Sequence, residues 1–292
     1  MTHSLKLAGL ASLFLFLGSC SSDDSTPTPP QGDNNQYFIS KIDYVVYDTT
    51  TISNGSSTTT ESSPVFDRTV HFFYDKTYQL DSITRDSKYF SNGIFVANFH
   101  HVYTHKLDAL NRLERLDIES KQQAGKTTYT FTYEQDLLMR FSILRGSEIA
   151  LTYNSKKQFT QGKVLLATDQ PNSIEPHTIQ YAYGHNNQLT QLLYQKDRAN
   201  FTYDESKNPF GHLPFDFTTL LFDPLTYIPL TYSFENNITT MRFTGSSLAN
   251  YSIEYSYNKG NYPEKATVYK GAKTKANRYM VIDYNYHIVP KN

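Results

Sequence analysis

An aromatic or aliphatic residue, one spacer and a tyrosine, often followed by a turn-forming or acidic residue, recur along this 292-residue chain. Self-similarity of this kind constrains a fold more than composition does, because each copy must build the same local unit. The copies are Phe72-Phe73-Tyr74-Asp75, Phe131-Thr132-Tyr133-Glu134, Leu151-Thr152-Tyr153-Asn154, Tyr181-Ala182-Tyr183-Gly184, Phe201-Thr202-Tyr203-Asp204 and Tyr255-Ser256-Tyr257-Asn258. Weaker copies are His101-Val102-Tyr103, Tyr232-Ser233-Phe234-Glu235 and Tyr284-Asn285-Tyr286. The nine anchors are separated by 29, 30, 20, 30, 20, 31, 23 and 29 residues.

In several copies apolar residues return six and nine positions after the anchor, as in Leu80 and Ile83 after Tyr74, or Leu189 and Leu192 after Tyr183. The residues between are polar or turn-prone, such as Asp75-Lys76-Thr77 and Gly184-His185-Asn186-Asn187. Strand, turn, strand is the pattern of a β-hairpin. Side chains alternate along a strand, so one face should be rich in Phe, Tyr and Leu, the core side, and the other in Thr, Ser and Ala. Nine such units predict an all-β antiparallel meander of about 16–18 strands, curled into a large barrel that is either closed or open along one seam. Helical periodicity is absent except over Phe215 to Leu225, where a short helix is expected.

Two segments interrupt the repeat. Residues 48–64 are a polar Thr/Ser-rich stretch, expected to form a loop between strands 37–47 and 65–75. Residues 208–230 are apolar but carry Pro209, Pro214, Pro224 and Pro229, which excludes a central strand. An apolar segment outside the sheet must cover something. Phe210, Phe215, Phe217, Phe222 and Tyr227 are therefore the candidate ligand-binding or plug residues.

The amino terminus predicts export. Lys6 is followed by an apolar run from Leu7 to Leu17, too short to span a bilayer, and then by Gly18-Ser19-Cys20. Leu17-Gly18-Ser19-Cys20 resembles the bacterial lipobox. That resemblance implies a signal peptide over residues 1–19 and lipid on Cys20, the only cysteine, which has no disulfide partner within the chain. Ser21-Ser22-Asp23-Asp24 is similar to the acidic signal that sends lipoproteins of some Gram-negative gut bacteria to the exterior of the outer membrane. Residues 20–36 are expected to be a flexible linker, and 37–292 a single β domain. Losing the leader removes one lysine and leaves 26 basic against 28 acidic side chains. That balance offers nucleic acid no attraction.

The repeat resembles the YD repeats of Rhs-type shell proteins and, more closely, surface lipoproteins of unknown activity with a porin-like β fold. The resemblance spans roughly residues 66–289 and includes Tyr203-Asp204-Glu205-Ser206-Lys207-Asn208-Pro209-Phe210. The Gly-Arg turn of the YD pattern is missing from most copies, and Ala109-Leu110-Asn111-Arg112-Leu113 comes nearest to it. The resemblance implies a fold and lends no activity.

No catalytic motif is present: Gly-x-Ser-x-Gly, His-Glu-x-x-His and phosphate-binding glycine loops are all missing. His100, His101 and His105, with His71 nearby, are the one cluster that suggests a metal. On a strand His101 and His105 share a face that His100 does not, so solvent-facing histidines are expected, with no metal and no cofactor. A membrane-tethered glycan- or protein-binding module is favoured. A polysaccharide hydrolase using paired carboxylates and a purely structural envelope protein are the alternatives.

Overall fold

The computed structural model describes residues 34–54, 57–122, 125–143, 147–165, 177–222, 225–245 and 248–291. Cys20 and the leader lie outside these residues. The described residues form sixteen strands: β1 (Asn35–Asn54), β2 (Ser57–Tyr74), β3 (Leu80–Ser91), β4 (Ile94–Leu107), β5 (Leu113–Ser120), β6 (Lys126–Glu134), β7 (Leu137–Ser142), β8 (Glu148–Tyr153), β9 (Phe159–Leu165), β10 (Thr178–Tyr183), β11 (Leu189–Tyr194), β12 (Asp197–Lys207), β13 (Asn236–Thr244), β14 (Tyr251–Tyr257), β15 (Pro263–Lys270) and β16 (Arg278–Pro290). Each pairs antiparallel with its sequence neighbours, and β16 closes onto β1, with Ile282 opposite Tyr44. The barrel is an up-and-down meander without a free edge.

The repeat motif has a physical cause in the turns at one rim, the near rim, which also carries Asn35 and Lys291. The residue after the strand end, Asp75, Asp108, Asn154 or Asn258, turns its side-chain oxygen back to accept two backbone N–H groups, from the second and fourth residues on. Such Asx turns offer the backbone partners that the ladder no longer supplies. The fourth turn residue sits in the left-handed region, at φ of 59° for Asn111, 62° for Asn187 and 64° for Asn261, a conformation asparagine tolerates.

The anchor tyrosines lock these turns to the wall. Tyr74, Tyr133, Tyr153, Tyr183 and Tyr286 donate their hydroxyls to the carbonyls of Ile39, Leu113, Leu138, Phe159 and Pro263 at 2.6 to 3.1 Å. Tyr203 donates likewise to Leu189. In every case the acceptor lies near the start of the preceding strand. Burial holds these phenols protonated, with Tyr133 and Tyr153 pushed up to about 12.

Facing follows the strand period. The residues two before the anchors, Phe72, Phe131, Leu151, Tyr181 and Phe201, are buried in the barrel, whereas the spacers Thr132, Thr152, Ala182, Thr202 and Ser256 are exposed outside. Ion pairs such as Lys41–Asp43, Lys106–Glu114 and Lys265–Asp283 dot the same outer face. A membrane-spanning barrel needs an apolar outer band, and here the polarity is reversed.

A barrel of this strand number encloses more space than wall side chains can fill. The segment between β12 and β13 fills it. Phe217 packs on Phe72 and Tyr103, and Phe210 on Phe72, at ring separations of 5.4 to 6.3 Å. On the opposite wall Tyr181 donates to the Tyr227 carbonyl, and Tyr232 accepts from the Leu189 N–H. The segment therefore touches walls all round and is a plug. Its helix, α1 (Thr218–Leu221), falls inside the window where a short helix is expected. Gly162 on β9 leaves room for this contact, since a Cβ there would come within 2.8 Å of Ile149 and 3.1 Å of the Tyr181 hydroxyl.

Three sequence expectations change. β1 opens at Asn35, inside the stretch read as linker. Residues 48–54 and 57–64 are not a loop: β1 and β2 stay paired through them, with Asp48 opposite Ser63 and Asn54 opposite Ser57. Tyr232-Ser233-Phe234-Glu235 is not a hairpin anchor, because it belongs to the plug. Removing that false copy leaves eight hairpins.

The tyrosine lock predicts a graded loss. Tyr153→Phe should cost about 1 kcal/mol by leaving the Leu138 carbonyl without its donor, and Tyr153→Ala about 3 kcal/mol by also removing the ring. Urea unfolding measures both, and a Phe variant as stable as the parent would show that the hydroxyl is idle.

Candidate functional site

The plug reaches the near rim but stops short of the far rim, and the space left there is the site. Two adjoining cavities of about 430 and 760 Å³ meet at Arg85, Leu220 and Thr226. Their floor is the plug, with Leu220 common to both, Thr219 and Ile228 under one, and Phe222 and Tyr227 under the other. Their walls carry Phe66, Tyr103, Tyr129, Tyr251 and Tyr279.

The floor is held by Asp216, just ahead of α1. Its carboxylate accepts from the Thr218 N–H, from the Asn208 side-chain amide at 2.7 Å and from the Phe234 N–H, so it ties both ends of the plug together. Burial pushes its pKa up to about 6, although these donors favour the charged form.

The inward face of β2, β3 and β4 supplies the polar groups. Arg68 lies opposite Ser87, and Arg85 opposite His101, so four donors form one patch across three strands. Arg68 donates to the Tyr44 hydroxyl at 3.1 Å and lies over the Phe66 ring, 4.7 Å from its centre. Arg85 lies over Tyr103 at 5.5 Å. Burial, then repulsion from Arg85 and Arg68, lowers the His101 pKa to about 4, so the imidazole is neutral at physiological pH. Lys126 also borders the smaller cavity, but its ammonium is held by Asp117 and Glu119.

Above the patch the β3–β4 hairpin continues past its neighbour, because β4 pairs with β5 only from His101 onward. Its tip exposes Ile94, Phe95 and Val96 at 71, 55 and 62%. The rim is thus apolar on one side, beside a polar patch within.

Of the five residues singled out in the plug, Phe210, Phe215 and Phe217 are buried in the plug core, while Phe222 and Tyr227 line the larger cavity. The structure does not gather all five at one surface. The histidines also differ from the solvent-facing expectation. His100 points outward and bonds Asp86 at 2.7 Å, but His101 faces the cavity and His105 is half-buried, its pKa lowered by desolvation. Among the described residues no three His, Cys, Asp or Glu side chains converge as a metal site would need.

Arg68 and Arg85 were missed, yet the signal was present. They occupy inward positions of Phe66-x-Arg68-x-Val70-x-Phe72 and Ile83-x-Arg85-x-Ser87-x-Tyr89, as charges on the apolar phase of alternating strands.

Over the described residues the molecule is thus a closed sixteen-stranded antiparallel barrel with an apolar plug in its lumen and two adjoining cavities towards the far rim. No protein-family profile and no curated protein sequence matches it. In fold it is similar to a porin-like protein from Bacteroides uniformis, at a TM-score of 0.51 and 12% identity over 85% of this chain and 98% of that one. A porin-like protein from Bacteroides vulgatus aligns at a TM-score of 0.25 and 9% identity, covering 86% of this chain and 99% of that one. A chain of the TcdB2-TccC3-Cdc42 complex aligns at 0.31 and 10%, covering 78% of this chain but only 12% of that one.

The Asp216 environment gives a pH prediction. An unfolded aspartate titrates near 3.9, so between about 4 and 6 the folded state holds a proton that the unfolded state has released. The Asp216 contribution to stability is then full below about 4 and falls as pH rises through about 6. The stability of the parent relative to Asp216→Asn, from unfolding at stepped pH, should decline over that window. A flat difference would refute the assignment.

Proposed function

We propose that this protein is an exported lipoprotein, tethered through lipid on Cys20 to the exterior of an outer membrane, whose barrel binds a glycan or glycan end at its far mouth. One observation carries the binding part. Beyond α1 the two adjoining cavities of about 430 and 760 Å³ share Arg85 and fall within the range of roughly 300–1,000 Å³ typical of small-molecule sites, whereas the near-rim cavity of about 400 Å³ between the plug and the turns is a separate one. Tyr227, stacked on Tyr194, and Tyr279, under the Lys270 ammonium, both line the larger cavity, and rings with polar tips are the chemistry that stacks on sugars.

The chain enters the barrel with Asn35 at the near rim, the end opposite the two adjoining cavities, which is compatible with a tether on the preceding residues. The polar outer face favours a barrel that stands on a membrane over one that spans it. The protein of similar fold from Bacteroides uniformis is called porin-like, and that name is consistent with an envelope setting.

Two measurements test this reading. Cys20→Ala should move the protein from the detergent phase to the aqueous phase, and a variant still membrane-bound would sink the anchor. In a panel of immobilised oligosaccharides, Tyr227→Ala should weaken binding at least about tenfold, the weight of one good stacking contact. Phe217→Ala should instead lower stability by about 3–5 kcal/mol. Binding that is absent, or indifferent to Tyr227→Ala, overturns the mouth as the site.

A further inference from the structure

We infer that the far-mouth site recognises an oxyanion, a carboxylate, sulfate or phosphate group on its ligand, through Arg68, Arg85, Ser87 and His101. This rests on the mouth being the binding site and names the chemistry it selects.

Two arginines on the inward face of a barrel need a reason. Val70 is the register partner of Arg85, which makes Arg68 and Arg85 diagonal cross-strand neighbours, an arrangement in which like charges repel. Burying a charge is costly unless it is paired. Neither arginine makes an ion pair among the described residues, and no described carboxylate lines either cavity. The tyrosine hydroxyl and the aromatic faces compensate only part of this.

The remainder is visible as unpaired polar atoms. Arg68 Nε, Arg85 Nε, Ser87 Oγ and His101 Nδ1 are all buried, and none has a hydrogen-bond partner. Four of the seven such atoms among the described residues fall on adjacent register positions, the others being Gln188 Oε1, Asp197 Oδ1 and Arg278 Nε, and buried polar groups are otherwise nearly always satisfied. Guanidinium forks match the geometry of planar and tetrahedral oxyanions, so one anion seated between the arginines would relieve both their repulsion and their missing acceptors. The surrounding rings would cover the rest of the ligand. An acidic saccharide meets both demands.

The test uses the full chain in detergent, titrated at constant ionic strength with sulfate, a hexuronic acid, a hexose phosphate and the neutral hexose, while the His101 imidazole is followed by NMR. Every anion arm should shift the His101 signal, and the acidic sugars should bind at least tenfold tighter than the neutral one. Arg68→Gln and Arg85→Gln should each weaken anion binding at least tenfold, with Lys265→Gln, on the outer face, as the unaffected control. The parent's His101 signal needs no variant, so misfolding of either arginine variant leaves the test intact. A His101 signal untouched by every anion overturns the inference. Acid and neutral sugars bound alike, with Arg85→Gln unchanged but Tyr227→Ala weakened, would overturn the anion assignment and leave the mouth as the site. Saccharide binding indifferent to Tyr227→Ala would be the failure of the site itself.

Discussion

Filling the lumen is the constraint on which the rest of this structure depends. Sixteen strands enclose a space that inward side chains cannot close from the wall alone, and a polar outer face means that the apolar set must all be satisfied inside. The chain meets this by sending residues 208–235 into the barrel from the near rim, so that Phe217 meets Phe72 and Tyr103 while Tyr227 and Tyr232 are fixed to the opposite wall. Prolines in this segment forbid a strand, which keeps it from joining the sheet it fills. Asp216 gives the insert its own hydrogen-bonded centre, joining its first turn to Asn208 and Phe234.

The hairpin array was legible because each repeat solves one local problem with the same residues. A tyrosine hydroxyl finds a strand-start carbonyl, and an Asp or Asn folds back on the turn. These are short-range demands, so they print themselves on the sequence. Where the same letters occur for another reason, they do not mark a hairpin. Tyr232-x-Phe234 has the motif's spacing, but its tyrosine accepts the Leu189 N–H from inside the lumen. The Thr/Ser-rich stretch 48–64 lacks an apolar face and so reads as a loop, yet threonine is a good strand former, and a long hairpin needs only its ladder to continue.

The site was less legible because it is assembled across strands. Arg68, Ser87, Arg85 and His101 come from three strands, and their meeting depends on a register that no single segment states. His101 illustrates this: as part of a histidine cluster it suggests surface chemistry or metal, and only the inward phase shared with Tyr103 puts it beside Arg85. Charges on the apolar phase of β2 and β3 were the available clue. Such a residue violates the rule that otherwise organises the barrel, and violations of local consistency concentrate where a protein does something besides fold.

The two rims divide labour for the same reason. At the near rim the turns are short, capped by their own side chains and locked by tyrosines, and the plug enters between β12 and β13. At the far rim β4 outruns β5, its tip exposes apolar side chains, and the layer beneath holds donors without acceptors. A plug long enough to reach that layer would have supplied those acceptors or displaced the arginines. Ending at α1 instead, it preserves a cavity bordered by polar atoms that no described residue pairs.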